Sequence, residues 1–106
     1  MAKARAWIFT INNPTEADDP MEWDVRFVVW QKERGEEGTE HYQGYVECSR
    51  QQRMTAMKKI NARAHWAIRR GTQEEAIAYC EKEETRIDGP DRYARLVSLK
   101  SFQEVS

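Results

Sequence analysis

His41-Tyr42-Gln43-Gly44-Tyr45-Val46-Glu47-Cys48-Ser49 is the stretch on which the fold turns. Read at a period of two, His41, Gln43, Tyr45 and Glu47 share one side, while Tyr42, Val46 and Cys48 share the other. The stretch therefore reads as a strand. Upstream, Arg34 to Glu40 carries Gly35 and Gly38 and reads as a loop. Before it, Asp24 to Glu33 holds the run Phe27-Val28-Val29-Trp30, which suits a strand buried on both faces. Ala6 to Asn12 alternates Trp7, Phe9 and Ile11 with Ile8, Thr10 and Asn12, then ends at Asn13-Pro14, so a strand closes in a turn. Downstream, Met54, Met57 and Ile60 give Arg53 to Ile60 helical spacing. Ala64 to Arg69 reads as a fourth strand, with Trp66 and Ile68 on one side and His65, Ala67 and Arg69 on the other. Thr72-x-x-Glu75 has capping-box spacing and predicts a helix running to Glu84. After Asp88-Gly89-Pro90, the segment Tyr93 to Leu99 is left open between a final strand and an exit helix. This order of elements implies an α+β fold with a mostly antiparallel sheet. Trp7, Phe9, Phe27, Trp30, Val46, Trp66, Ile68, Ile77 and Cys80 are the expected core, and Trp23 is ambiguous.

Composition sets the bounds. A chain of 106 residues, 40% hydrophobic and 10% aromatic, fits one compact domain and leaves too little for a second. No apolar run approaches the roughly 20 residues of a membrane span, and the start lacks the apolar stretch of a signal peptide. Cys48 and Cys80 have no CxxC spacing, so two ordinary thiols in a reducing compartment are expected. The net charge of −1 argues at first against a nucleic-acid partner.

The distribution of that charge argues otherwise. Pro14 to Glu40 is dominated by acids, among them Asp18, Asp19, Glu33 and Glu40. Ser49 to Arg70 contains Arg50, Arg53, Lys58, Lys59, Arg63, Arg69 and Arg70 and no acid. With His65 and Trp66 inside it, this segment reads either as a phosphate-tracking surface with stacking groups or as a solvated helix face.

Three places concentrate chemistry. His41 and Gln43 lie about 7 Å apart on the same side of a strand, spaced to give two ligands to one cation. Glu33 ends the preceding strand, and a hairpin brings its carboxylate beside His41. Carboxylate, imidazole and amide oxygen form a mixed set that suits Mg²⁺ or Mn²⁺ better than Zn²⁺. Tyr79 and Lys82, three apart on the expected helix, lie on one face. A phenol becomes a competent nucleophile when a nearby cation lowers the cost of its oxyanion.

Taken in order, Phe9-Thr10-Ile11-Asn12-Asn13-Pro14, His41-Tyr42-Gln43-Gly44-Tyr45 and Tyr79-Cys80-Glu81-Lys82 resemble the three motifs of a known family. That family is the endonuclease domain of rolling-circle replication initiators (Rep) of small circular single-stranded-DNA viruses and their satellites. It belongs to the HUH superfamily, and the likeness is to the nanovirus, alphasatellite and circovirus type. Gly71-Thr72-Gln73 before the last helix is also similar, and Gln43 stands where the wider superfamily has a second histidine, a departure shared by that branch.

The resemblance implies a sheet of about five antiparallel strands with helices packed on its faces, an RRM-like arrangement. It further implies a divalent ion, Mn²⁺ or Mg²⁺, held by Glu33, His41 and Gln43. Tyr79 would be the nucleophile, assisted by Lys82, and would nick and rejoin single-stranded origin DNA at a stem-loop through a 5′-phosphotyrosine. Arg5, Asn12, Asn13, Arg63, His65, Arg69 and Arg70 are the candidate DNA contacts. Residues 1–95 are expected to form the nuclease and 96–106 an extension toward a helicase. No phosphate-binding GxxxxGK[ST] loop occurs in this chain. The expected setting is the host nucleus, with the isolated domain monomeric and the full-length protein oligomeric. Two rival readings are a non-catalytic single-stranded nucleic-acid binding module with an RRM-like sheet, and a small interaction protein with no nucleic-acid role.

Overall fold

The computed structural model describes residues 2–35, 37–84 and 86–94, the side chains of 90–94 excepted. Among the described residues, five strands form one antiparallel sheet: β1 (Ala4–Asn12), β2 (Phe27–Arg34), β3 (Glu40–Gln52), β4 (His65–Ile68) and β5 (Arg86–Ala94). Their spatial order is β4-β1-β3-β2-β5, so the stretch around His41 is the central strand. Helix α1 (Met54–Ile60) links β3 to β4, and α2 (Gln73–Cys80) links β4 to β5. Two 3₁₀ turns, Glu16–Asp18 and Pro20–Glu22, occupy the β1–β2 connection.

Alternation along the strands splits the interior in two. Trp7, Phe9 and Ile11 of β1, Val28 and Trp30 of β2, and Val46 and Cys48 of β3 face one way. They pack with Trp23, Met57 of α1 and Trp66 of β4. Phe9 lies 4.8 Å from Trp23 and 5.5 Å from Trp66, ring centre to ring centre, so Trp23 belongs to this aromatic core. Gly44 sits opposite Phe9 in the β1–β3 register, and a Cβ there would run into the Phe9 ring. Val29 and Tyr45 face the other way and pack against Ala76 and Cys80 of α2, with Phe27 and Ile77 partly buried beside them. We call these the aromatic face and the α2 face. Ile68, expected in the core, is 37% exposed because β4 is a short edge strand.

The strands β1 to β3 shift by up to three residues at their ends, and the larger departures from the sequence reading lie at α2 and β5. The expected helix to Glu84 stops at Cys80. The final strand begins at Arg86 and runs through Asp88-Gly89-Pro90, ahead of the segment that the sequence leaves open between a strand and a helix. An edge strand tolerates proline, and the register shifts opposite Trp30–Glu33 take up the irregularity at Gly89, whose φ is +96°. The part of Tyr93–Leu99 after Ala94, and the proposed extension 96–106, lie outside the described residues.

Candidate active site

The β2–β3 register sets Glu33 directly opposite His41 and Gln31 opposite Gln43. The β1–β3 register adds Asn12 beside His41 and Thr10 beside Gln43, and β4 places His65 beside Thr10. Side chains opposite one another in an antiparallel pair share a face. These residues therefore form a polar field at one end of the α2 face, while Val29, Tyr45 and Ile8 continue the same rows as its apolar end.

Glu33 is the hub of the field. It is 1% exposed, and His41 Nε2 and Lys82 Nζ approach its Oε1 at 3.1 and 3.2 Å. Gln31 Nε2 donates to its other oxygen at 2.9 Å. Burial alone would raise the carboxyl pKa, but the Gln31, Lys82 and His41 bonds and the Lys82 charge outweigh it and hold the pKa below its ordinary value. Glu33 is thus a buried anion. Gln43, 6% exposed, has a fixed amide: Nε2 donates to the Phe9 carbonyl at 3.3 Å, and Oε1 accepts from Thr10 Oγ1 at 3.3 Å.

Among the described residues, no three His, Cys, Asp or Glu side chains converge as a metal cluster. A cation held here must therefore draw on an amide as well as on Glu33 and His41. Ionised carboxylate, imidazole and amide oxygen fit a hard divalent ion, Mg²⁺ or Mn²⁺, and the absence of thiolate disfavours Zn²⁺.

Tyr79 is 54% exposed on α2, and Lys82 Nζ lies 4.1 Å from the centre of its ring. The two residues meet, but not as neighbours on one helix. The helix ends with Glu81 as its cap, and Lys82 sits on the chain beyond. There its ammonium reaches both Tyr79 and Glu33. Tyr79 also lines a cleft of about 900 Å³, with Ile8 and Ala67 from the sheet, Ala76 from α2, and Arg70 and Glu75 in its polar lining. The nucleophile candidate therefore stands between this cleft and the Glu33 field.

The candidate DNA contacts are placed unevenly. Asn12 and His65 are exposed beside the polar field, and Arg70 lines the cleft. Asn13 makes the turn after β1 with φ +51°, a conformation asparagine tolerates. Arg5 is exposed at an irregularity between Ala4 and Ala6. Arg63 pairs with buried Asp18 and donates to the carbonyls of Asn12 and Asn13 at 2.8 and 3.1 Å, bracing the turn. Arg69 Nη1 donates to Tyr45 Oη at 2.9 Å, and Tyr45 in turn donates to Glu47 Oε2 at 2.5 Å. Burial, with the Glu47 carboxylate, pushes the Tyr45 phenol up to about 12, so this tyrosine is locked in its neutral form. The acid-free segment Ser49–Arg70 is not one surface, since α1 with Lys58 and Lys59 packs through Met57 on the aromatic face.

Sequence reasoning missed Gln31 and Thr10. The signal for Gln31 was present: it is a polar residue directly after Phe27-Val28-Val29-Trp30, two positions from Glu33 and so on its face. Gln31 is fully buried. Its Nε2 donates to the Lys82 carbonyl at 2.6 Å as well as to Glu33, while its Oε1 is buried with no hydrogen-bond partner among the described residues.

Residues 4–83 match the family described as "Putative viral replication protein". The chain is 50% identical over 84 residues to the Master replication protein of Banana bunchy top virus, covering 79% of this chain and 29% of that protein. It is 40% identical over 87 residues to the Replication-associated protein of Canary circovirus, covering 77% and 30%. Para-Rep C10 of Milk vetch dwarf C10 alphasatellite is 36% identical over 103 residues, covering 95% and 35%. The chain thus spans about a third of the length of the curated relatives it matches.

Proposed function

The chain belongs to the viral replication protein family, and we propose that it is a nuclease module that nicks and rejoins single-stranded origin DNA through a covalent tyrosine link. The observation that carries this reading is the placement of Lys82. Its ammonium stands at once over the exposed Tyr79 ring and against the buried anion Glu33. A module that only bound nucleic acid would have no use for an exposed phenol tied to a buried carboxylate through one cation.

Glu33, His41 and Gln43 are the residues that would hold Mg²⁺ or Mn²⁺. Bound there, the ion supplies polarisation of a non-bridging oxygen of the scissile phosphate. The chain's own residues do the rest. Asn12, His65 and Arg70 border the open part of the α2 face, where unpaired bases and phosphates meet the sheet. The Tyr79 phenol gives up its proton to water, which supplies one to the leaving oxygen, and Oη attacks phosphorus in line. A P–Oη bond forms as the P–O3′ bond breaks, and the leaving oxygen takes a proton to become a 3′ hydroxyl. Lys82 lowers the cost of negative charge on the phenolate oxygen and on the phosphate. One phosphodiester has replaced another, so a 3′ hydroxyl can reverse the step and close a circle without ATP.

The test is incubation with a panel of single-stranded stem-loop oligonucleotides and Mn²⁺, with covalent adduct read by denaturing gel and mass spectrometry. Wild type is expected to form the adduct and Tyr79→Phe none. No adduct from wild type across the panel, or an adduct from Tyr79→Phe, overturns the reading. Gln43→Ala is expected to weaken metal-dependent cleavage far more than DNA binding; equal losses remove Gln43 from the ligand set.

A further inference from the structure

Helix α2 ends at Cys80, so helical geometry does not fix where Lys82 stands relative to the sheet. Besides the Lys82 ammonium on Glu33, the Gln31 side chain ties the Lys82 backbone to the sheet. The two hydrogens of the Gln31 amide go to two different parts of the site, one to the Lys82 carbonyl at 2.6 Å and one to Glu33 Oε2 at 2.9 Å. The reversed amide is excluded, because it would set its oxygen against two acceptors. With Glu33 Oε2 occupied by Gln31, the other oxygen, Oε1, is the one presented to His41 and Lys82.

We propose that Gln31 is a positioning residue. It fixes the rotation of the Glu33 carboxylate and clamps the chain leaving α2 to β2, so that Lys82 and the cation ligand keep their separation while Tyr79 reacts. This rests on the nuclease reading above. The unpartnered Oε1 of Gln31 supports it. A methionine would fill the same buried space without an orphaned amide oxygen, but it would leave Glu33 Oε2 and the Lys82 carbonyl without this donor, so the amide is accounted for by those two bonds and not by packing.

Gln31→Met keeps length and volume and removes both donors. Gln31→Asn keeps an amide but is one methylene too short to span both partners. Each is to be measured for thermal unfolding, affinity for single-stranded DNA, Mn²⁺ affinity without DNA by electron paramagnetic resonance, and single-turnover adduct rate at saturating DNA. The expected Gln31→Met protein still unfolds cooperatively, at a lower temperature than wild type because Glu33 Oε2 and the Lys82 carbonyl lose their donor, and binds DNA within twofold. Its Mn²⁺ affinity and its single-turnover rate each fall roughly 10–100-fold, the scale seen when a partner that orients a ligand is removed. Gln31→Met is further expected to slow a Lys82→Ala protein far less than it slows wild type, because the lysine it places is already gone. A rate and Mn²⁺ affinity within twofold of wild type overturn the proposal, as does a loss seen only in DNA affinity or full additivity with Lys82→Ala. Should Gln31→Met fail to unfold cooperatively, Gln31→Asn is judged by the same measures; if both fail, Gln31 is a folding residue and the proposal falls. A wild type that forms no adduct defeats the nuclease reading itself, and the Mn²⁺ affinities then still decide on Gln31.

Discussion

The two faces of the sheet are made from the same strands and spend their burial differently. On the aromatic face, Trp7, Phe9, Trp23 and Trp66 close over Val28, Val46 and Met57 in a continuous apolar layer. On the α2 face, the apolar cluster around Val29, Tyr45, Ala76 and Cys80 gives way to buried Gln31, Glu33 and Gln43. A fully buried large apolar side chain contributes about 1.5–3 kcal/mol. An unsatisfied buried amide oxygen such as that of Gln31 costs about 1–3 kcal/mol. The aromatic face, with the larger set of buried apolar side chains, therefore contributes the larger share of the folding free energy, and the α2 face draws on it to hold a buried anion and an exposed phenol in place.

The largest expected effect tests that division directly. Phe9→Ala should cost about 3–5 kcal/mol, since Phe9 is fully buried between Gly44, Trp23 and Trp66. That is a large share of the roughly 5–15 kcal/mol by which such domains are stable. Tyr79→Phe, at a half-exposed position, should stay within about 0.5 kcal/mol of wild type in the same urea titration followed by tryptophan fluorescence. Similar losses in the two proteins would show that the faces do not divide stability from chemistry.

The same division explains what was legible beforehand. Period-two alternation in β1 and β3 is enforced by burial on a known side, so strands and facing residues could be read directly, and Glu33, His41 and Gln43 with them. The end of α2 could not. Glu81-Lys82-Glu83-Glu84 has helix-forming composition, but Lys82 has its carbonyl held by Gln31 from a strand some fifty positions away in sequence. A tertiary bond of that kind overrides local propensity and leaves no local trace. Spacing alone did bring Tyr79 and Lys82 together, yet for the wrong reason. Trp23, ambiguous beside polar neighbours, is buried because the β1–β2 connection folds over Phe9 and Trp66.

An intermediate effect is expected where the two faces are tied together. Asp18 is 2% exposed, accepts from Asn61 Nδ2 at 2.9 Å and pairs with Arg63, whose other nitrogen braces the Asn12–Asn13 turn. Burial would raise its pKa, but the Asn61 and Thr15 bonds and the Arg63 charge take it below the ordinary 3.8. A carboxyl lowered on folding stabilises the protein above its unfolded value and loses that contribution as pH falls through the folded value. Asp18→Asn should therefore cost about 1–3 kcal/mol at pH 7. The gap to wild type should hold down to about pH 5 and close below 3.8. Urea titrations across that range check it, and a gap that widens in acid contradicts the assignment.

The smallest effect discriminates most finely. Thr72 Oγ1 accepts from the Glu75 amide at 3.1 Å, and Glu75 Oε1 accepts from the Thr72 amide at 2.9 Å, closing a capping box at the start of α2. Thr72→Ala should cost about 1 kcal/mol. Where that cost appears is the informative part. Helix α2 runs only from Gln73 to Cys80 and touches the sheet through the sparse cluster of Val29, Tyr45, Ala76 and Cys80. If the α2 face opens separately from the aromatic face, hydrogen exchange in Thr72→Ala should quicken at residues 76–80 and not at the β1–β3 pairs across Phe9–Gly44. The adduct rate should fall with it while the urea midpoint barely moves. Exchange that quickens equally on both faces would mean that the sheet unfolds as one unit, and that the stability on which the buried anion depends is shared between the faces.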